Sequence, residues 1–197
     1  MGKKIEGIDV SHWNPVTVID DFDPQFVIMK LTEGKTFVDP DTSLHYSKAL
    51  MRGAQTGFYH FARAEKNDAI VEAEWFCKNL PPYAIGKSIL VLDYEAKALS
   101  ISSPDDWALR WLTRVEQITG VKPLLYCSQA VVKRFPKVQA NGNGLWIARY
   151  RNKLLGYGDV TPWKFAAIWQ YTSKPVDRDI FYGTVEQFKK YAKIGGK

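Results

Sequence analysis

A chain of 197 residues, 46% hydrophobic and 24% charged, has the length and composition of one soluble folded domain. That excludes a disordered tail, a collagen and a low-complexity scaffold, and no apolar run nears the roughly 20 residues needed to cross a bilayer. The balance of 27 Lys and Arg against 21 Asp and Glu gives +6, a field that favours polyanionic partners.

The positives are scattered, except that Lys189, Lys190, Lys193 and Lys197 gather near the C-terminus. With no nucleic-acid motif beside them, they read as the solvated face of a last helix, and no nucleic-acid partner is expected. Seven Trp, 10 Tyr and 10 Phe suit either a large core or a carbohydrate cleft.

In chain order, eight apolar segments ending in polar or glycine-bearing residues read as strands: Ile5–Ser11, Phe26–Gly34, Gly57–Ala62, Ser88–Glu95, Pro123–Ser128, Leu145–Tyr150, Ala166–Thr172 and Val176–Tyr182. Helical patterns lie between the early ones. Thr42–Arg52 is closed by Gly53, and a helix starting near Asp68 is expected to bury Ile70, Ala73, Cys77 and Leu80. Ser103 reads as an N-cap, with Pro104 in the first helical position and Asp105 and Asp106 at the positive end of the dipole. That helix sets Ala108, Trp111, Leu112, Val115 and Ile118 on one face and stops at Gly120. Thr184 with Gln187 three residues on forms a capping box for the last helix.

Strand–helix alternation in the first two-thirds argues for parallel βαβ units. From Pro123 onward the strands crowd, with short loops and room for antiparallel pairs. The expectation is one α/β domain over residues 1–197, a closed and irregular TIM-like (β/α) barrel. A doubly wound open sheet is the alternative, but no Gly-x-Gly-x-x-Gly or phosphate loop supports it. Cys77 and Cys127 lack metal-ligand spacing and are expected as buried free thiols, so neither a metal nor a cofactor is called for.

The chemistry concentrates at strand ends. In Ile89-Leu90-Val91-Leu92-Asp93-Tyr94-Glu95 four apolar residues lead into two carboxylates that share a face, roughly 7 Å apart by the strand rise. Barrel active sites lie at that end of the strands. Two adjacent acids push one pKa up, which gives a glycosidase its protonated acid and its ionised partner. Alone, the pair reads equally well as a rim salt-bridge cluster. Asp9 ends the first strand, and Asp177 and Asp179 lie near the last; closure of a barrel would bring them to the same mouth. Tyr59, Tyr126, Trp146, Tyr150, Trp169, Gln170 and Tyr171 end further strands, with core the favoured role for Trp146 and Trp169. His60 reads as a hydrogen-bonded barrel histidine.

Six segments stand in the order found in glycoside hydrolase family 25, the lysozyme-like muramidases: Gly7-Ile8-Asp9-Val10-Ser11, Lys30-Leu31-Thr32-Glu33-Gly34, Gly57-Phe58-Tyr59-His60-Phe61, Leu92-Asp93-Tyr94-Glu95, Leu145-Trp146-Ile147-Ala148-Arg149-Tyr150 and Ile168-Trp169-Gln170-Tyr171. The chain resembles that family from Gly7 to about Gly183. The resemblance implies a barrel of five βα units followed by three further strands. It also implies hydrolysis of the β-1,4 bond between N-acetylmuramic acid and N-acetylglucosamine in peptidoglycan.

Carried over by motif, Glu95 is the general acid and Asp93 the carboxylate that steadies the reacting sugar, with Asp9 and Asp177 in the same pocket. Substrate contacts are expected from Tyr59, Glu33, Tyr126, Trp146, Tyr150, Gln170 and Asp179. Asp179 stands where the family commonly has Asn, so Asp177 and Asp179 compete for the pocket position. A retaining reaction is expected, helped by the substrate's 2-acetamido group. A chitinase or N-acetylhexosaminidase, and a wall-glycan-binding module without activity, are the alternatives. A monomer acting on peptidoglycan strands is expected, without membrane insertion. No signal peptide is visible, which fits a phage endolysin released through a membrane pore or a domain of a longer secreted precursor.

Overall fold

Period-two alternation with apolar residues on both faces calls for a sheet covered on both sides, and a barrel provides that by enclosing one face. The computed structural model describes residues 3–195. Its strands are β1 (Ile5–Val10), β2 (Phe26–Glu33), β3 (Phe37–Val38), β4 (Gln55–Phe61), β5 (Ile89–Asp93), β6 (Leu124–Ser128), β7 (Leu145–Ala148), β8 (Ile168–Thr172) and β9 (Asp177–Phe181). Its helices are α1 (Val18–Phe22), α2 (Thr42–Met51), α3 (Ala69–Asn79), α4 (Pro104–Thr119), α5 (Pro136–Ala140) and α6 (Val185–Ala192).

The sheet runs β1-β9-β8-β7-β6-β5-β4-β2, and pairing of β1 with β2 closes it into an eight-stranded barrel. Neighbours from β1 through β2, β4, β5, β6 and β7 to β8 are parallel, while β9 runs antiparallel to both β8 and β1. The short β3 hairpin against the end of β2 was not foreseen: two exposed residues carry too little pattern to read.

Two cores follow from the alternation. Leu90, Leu92, Phe58 and Ile147 face outward into the layer under α3 and α4, where Trp111, Leu112 and Phe76 meet them. Ile28, Val91, Ile168, Trp146 and Phe181 fill the barrel interior. From below, α6 closes the barrel: Phe188 sits 5.0 Å from the Phe26 ring and 5.2 Å from Phe181. Burying one such phenyl ring stabilises the fold by roughly 1.5–3 kcal/mol. Space inside is tight enough that a Cβ on Gly7 would fall 2.5 Å from Phe26.

The capping signals place the helices, with amendments. Asp68 accepts from the Ile70 amide at 2.8 Å, and both bonds of the Thr184–Gln187 box form. Ser103 stands at the N-cap of α4 without a side-chain bond. Asp105, expected to serve its own helix, accepts instead from the Lys137 and Val138 amides at the start of α5. The buried face of α3 is Ala69, Glu72, Ala73, Phe76 and Leu80, so Ile70 and Cys77 are only half-buried. The rotation follows from Glu72, whose buried carboxylate is satisfied by His60, the Arg63 amide and Asn67. Ile118 is exposed because the stripe on α4 runs Ala108–Leu112–Val115–Thr119. Cys127 is buried and Cys77 half-buried, both as free thiols.

Candidate active site

The C-terminal ends of the parallel strands open into a cavity of about 240 Å³, lined by acids, aromatics and one lysine. Strand parity decides who reaches it. Asp93 continues the inward set Ile89–Val91 to the end of β5. Glu95 lies beyond the strand, but its extended backbone (φ −146°, ψ −170°) keeps the same-face relation expected of the pair. Asp9 ends β1 in the same way, and antiparallel β9 starts at this mouth, so Asp177 pairs across the seam with Asp9. Asp9, Asp93, Glu95 and Asp177 thus line one cavity with Tyr59, Tyr126, Trp146, Tyr150 and Gln170.

Two expected contacts lie elsewhere. Asp179 is fully buried beneath the cavity, where one carboxyl oxygen accepts from the Trp146 indole at 2.8 Å and the other is buried without a partner. The cavity position therefore belongs to Asp177. Glu33 sits outside the lining, its carboxylate held by Lys30 at 2.6 Å and by the Arg63 guanidinium. A register shift between Lys30 and Thr32 in β2 brings Glu33 to the same side as Lys30.

A chain of neutral donors organises the acids. Tyr126 and Tyr150 hydroxyls donate to Gln170 Oε1 at 2.8 and 3.0 Å, and Gln170 Nε2 donates to Asp9 at 2.7 Å. Burial is the largest cause of every carboxyl shift at the site, and neighbouring charge adds to it. Asp9 rises from 3.8 to about 8, pushed by burial and the Asp177 charge and opposed by the Gln170 amide. Asp93 rises well above the ordinary range through burial and the charges of Glu95 and Asp9, while Lys30 pulls it down. Glu95 rises through burial and Asp177, again opposed by Lys30. Asp177 and Asp179 rise through burial. One Asp93 oxygen is buried without a hydrogen-bond partner.

His60 is buried outside the barrel, within 2.8 Å of Thr32 Oγ1 and of Glu72, and burial lowers its pKa. It is a structural residue. Trp169 is likewise core, its indole donating to the Arg149 carbonyl. Trp146, expected as core, is buried and also forms part of the cavity wall.

Ser11, Trp13, Lys30 and Phe61 complete the lining without having been singled out from sequence. Lys30 was readable, since Phe26, Ile28 and Lys30 share the inward phase. Trp13 follows β1 in a loop, where no periodicity applies. It is 82% exposed, tilted against the His12 ring with centroids 4.6 Å apart, and His12 is anchored to buried Asp39 at 2.7 Å. Among the described residues, no group of His, Cys, Asp and Glu is placed to hold a metal ion.

A β/α barrel with acids and aromatics at its C-terminal mouth defines a glycoside hydrolase. Residues 8–180 match the family described as Glycosyl hydrolases family 25, and the chain belongs to it. A solved muramidase from Trichobolus zukalii superposes with a TM-score of 0.81 at 28% identity, over 96% of this chain and 99% of that one. The N,O-diacetylmuramidase of a Chalaropsis species is 26% identical over 95% of this chain and 99% of its own length. The modular Cpl-1 endolysin, solved with a peptidoglycan analogue, superposes at a TM-score of 0.65 with 25% identity, over 93% of this chain and 55% of that one.

Proposed function

We propose that the chain is a muramidase that hydrolyses the β-1,4 bond between N-acetylmuramic acid and N-acetylglucosamine in peptidoglycan, with retention. The observation that carries this reading is Asp93 and Glu95 side by side in one cavity at the C-terminal mouth of the barrel. Glu95, the less enclosed of the two, holds its proton into the range where it can protonate the leaving glycosidic oxygen, and its carboxylate then activates water. Asp93, at the cavity floor, is placed to orient the 2-acetamido group, and Lys30 and the positive charge developing on the sugar both favour its ionised form. Its unpartnered oxygen supports that task, because a substrate N–H is the donor it lacks. Asp9 shapes the pocket through the Gln170 chain, and Asp177 adds to the rise of the Glu95 carboxyl. Tyr59, Tyr126 and Trp146 wall the sugar, and Tyr150 and Trp13 offer rings at the rim.

The named structures of muramidases and of an endolysin with a peptidoglycan analogue support the substrate class. Such an enzyme acts on the bacterial wall as a monomer, released through a membrane pore or carried in a longer precursor. No described helix is long and apolar enough to cross a membrane.

Two measurements test the reading. Glu95→Gln keeps shape and removes the proton, so wall binding persists while cleavage falls by about 10²–10⁴-fold; lysis near the wild-type rate removes Glu95 from its role. Mass spectrometry of digested peptidoglycan should show muramic acid at the new reducing ends, and glucosamine there would overturn the bond assignment.

A further inference from the structure

A cavity of about 600 Å³ lies away from the catalytic one, at the opposite, N-terminal mouth of the barrel. Lys122, Lys190 and Lys193 line it together with Tyr191, Asn141 and Gln187. A second cavity of about 450 Å³ on the same face holds Lys87, Lys189 and, again, Lys193. Lys193 therefore joins the two into one track along α6.

The helix dipole accounts for Lys189 and Lys190, which occupy the last turn of α6. It does not account for Lys87 and Lys122, which precede β5 and β6 and are gathered here by topology. Lys122 is fixed at the back wall by Glu116 at 3.0 Å and by the Asn141 carbonyl at 3.0 Å. Among the described residues, Lys87, Lys189, Lys190 and Lys193 make no ion pair. Tyr191 forms a set wall: its ring lies 5.8 Å from Phe181, and a Cβ on Gly144 would come within 2.9 Å of it.

We infer that this face is a docking track for a linear phosphodiester polymer of the kind that bacterial walls carry, its phosphates seated between the lysines and one polyol or sugar unit against Tyr191. Lysine suits this ligand because it meets each phosphate as a mobile point charge and demands no fixed fork geometry. Two concavities that share one cation fit a chain with repeated charges better than a single small anion. They also fit it better than a lipid surface, which engages a flat face with apolar groups inserted. Assigning the polymer to the wall rests on the muramidase reading, whereas the binding itself does not.

The test is fluorescence anisotropy with labelled poly(glycerol phosphate), with glycerol 3-phosphate and phosphatidylglycerol vesicles as separate arms. Wild type should bind the polymer with salt-sensitive affinity and bind the monomer far more weakly. Lys190→Ala/Lys193→Ala should lose roughly tenfold in polymer affinity, since each exposed charge contact is worth roughly threefold. Lys190→Arg/Lys193→Arg should keep most of it. Hydrolysis of a short soluble muramyl oligosaccharide should be the same in all three proteins, which reads the catalytic cleft independently. The inference is overturned if wild type ignores the polymer, if the alanine variant binds it equally well, or if vesicles are bound more tightly than the polymer.

Discussion

Asp9 offers a quantitative test of how the cavity holds its charge. Its carboxyl is raised from 3.8 to about 8, so between those values it is ionised in the unfolded chain and protonated in the fold. The unfolded state then binds fewer protons, and stability falls as pH rises by about 1.4 kcal/mol per pH unit for this one group. Across the window the loss is on the order of 5 kcal/mol, a large share of what holds a domain together. The contribution is fully present below pH 3.8 and lost once pH passes about 8. Asp93, Asp179, Glu95 and Asp177 shift in the same direction, and His60 in the opposite sense, so the wild-type slope alone is not diagnostic. Asp9→Asn isolates the term. The amide imitates the protonated acid: it still accepts from Gln170 and carries no charge at any pH. Urea unfolding of both proteins at intervals from pH 4 to pH 8 should give curves that diverge as pH rises, the variant being the more stable at pH 8. Parallel curves would mean that Asp9 is ionised in the folded protein, and would refute the reasoning.

Further predictions concern neighbouring groups. Removing the cation with Lys30→Met should move the whole pH–activity profile upward, because Lys30 holds down both Asp93 and Glu95; an unmoved profile would show that its charge is screened from the pair. Trp13→Ala should raise KM for wall polymer while leaving kcat on a short oligosaccharide near wild type, since the indole stands at the rim, away from Glu95's reaction. Gly7→Ala should destabilise by about 1–3 kcal/mol, as the added methyl meets the Phe26 ring and backbone at 2.5 Å; an unchanged urea midpoint would contradict the packing.

Much of this site was legible because strand parity is a strong rule. Four carboxylates on three strands converge once each strand's inward phase is known and the barrel is closed, and both follow from apolar alternation. Where alternation breaks, so does legibility. The register shift after Lys30 brings Glu33 beside that lysine, so its pairing with Lys30 and Arg63 could not be counted out from spacing. Asp179 keeps the inward phase of Asp177 but lies one layer deeper, and depth along the barrel axis is set by strand stagger, which sequence does not display. Trp13 and β3 are loop features, placed by the Asp39 anchor and by hairpin pairing. The face of α3 turned on Glu72, whose burial is intelligible only after its three donors are seen.

The seam between β1 and β9 joins the first and the last strands of the described barrel. Asp9 gains its partner Asp177, and the barrel gains its Phe188 plug, from a stretch of chain about 170 residues further on. Without β9 the edges of β1 and β8 would stand unpaired and the cavity would lose Asp177. The cavity and the closure of the barrel are therefore one and the same event: whatever parts β1 from β9 separates Asp9 from Asp177 and opens the site together with the sheet.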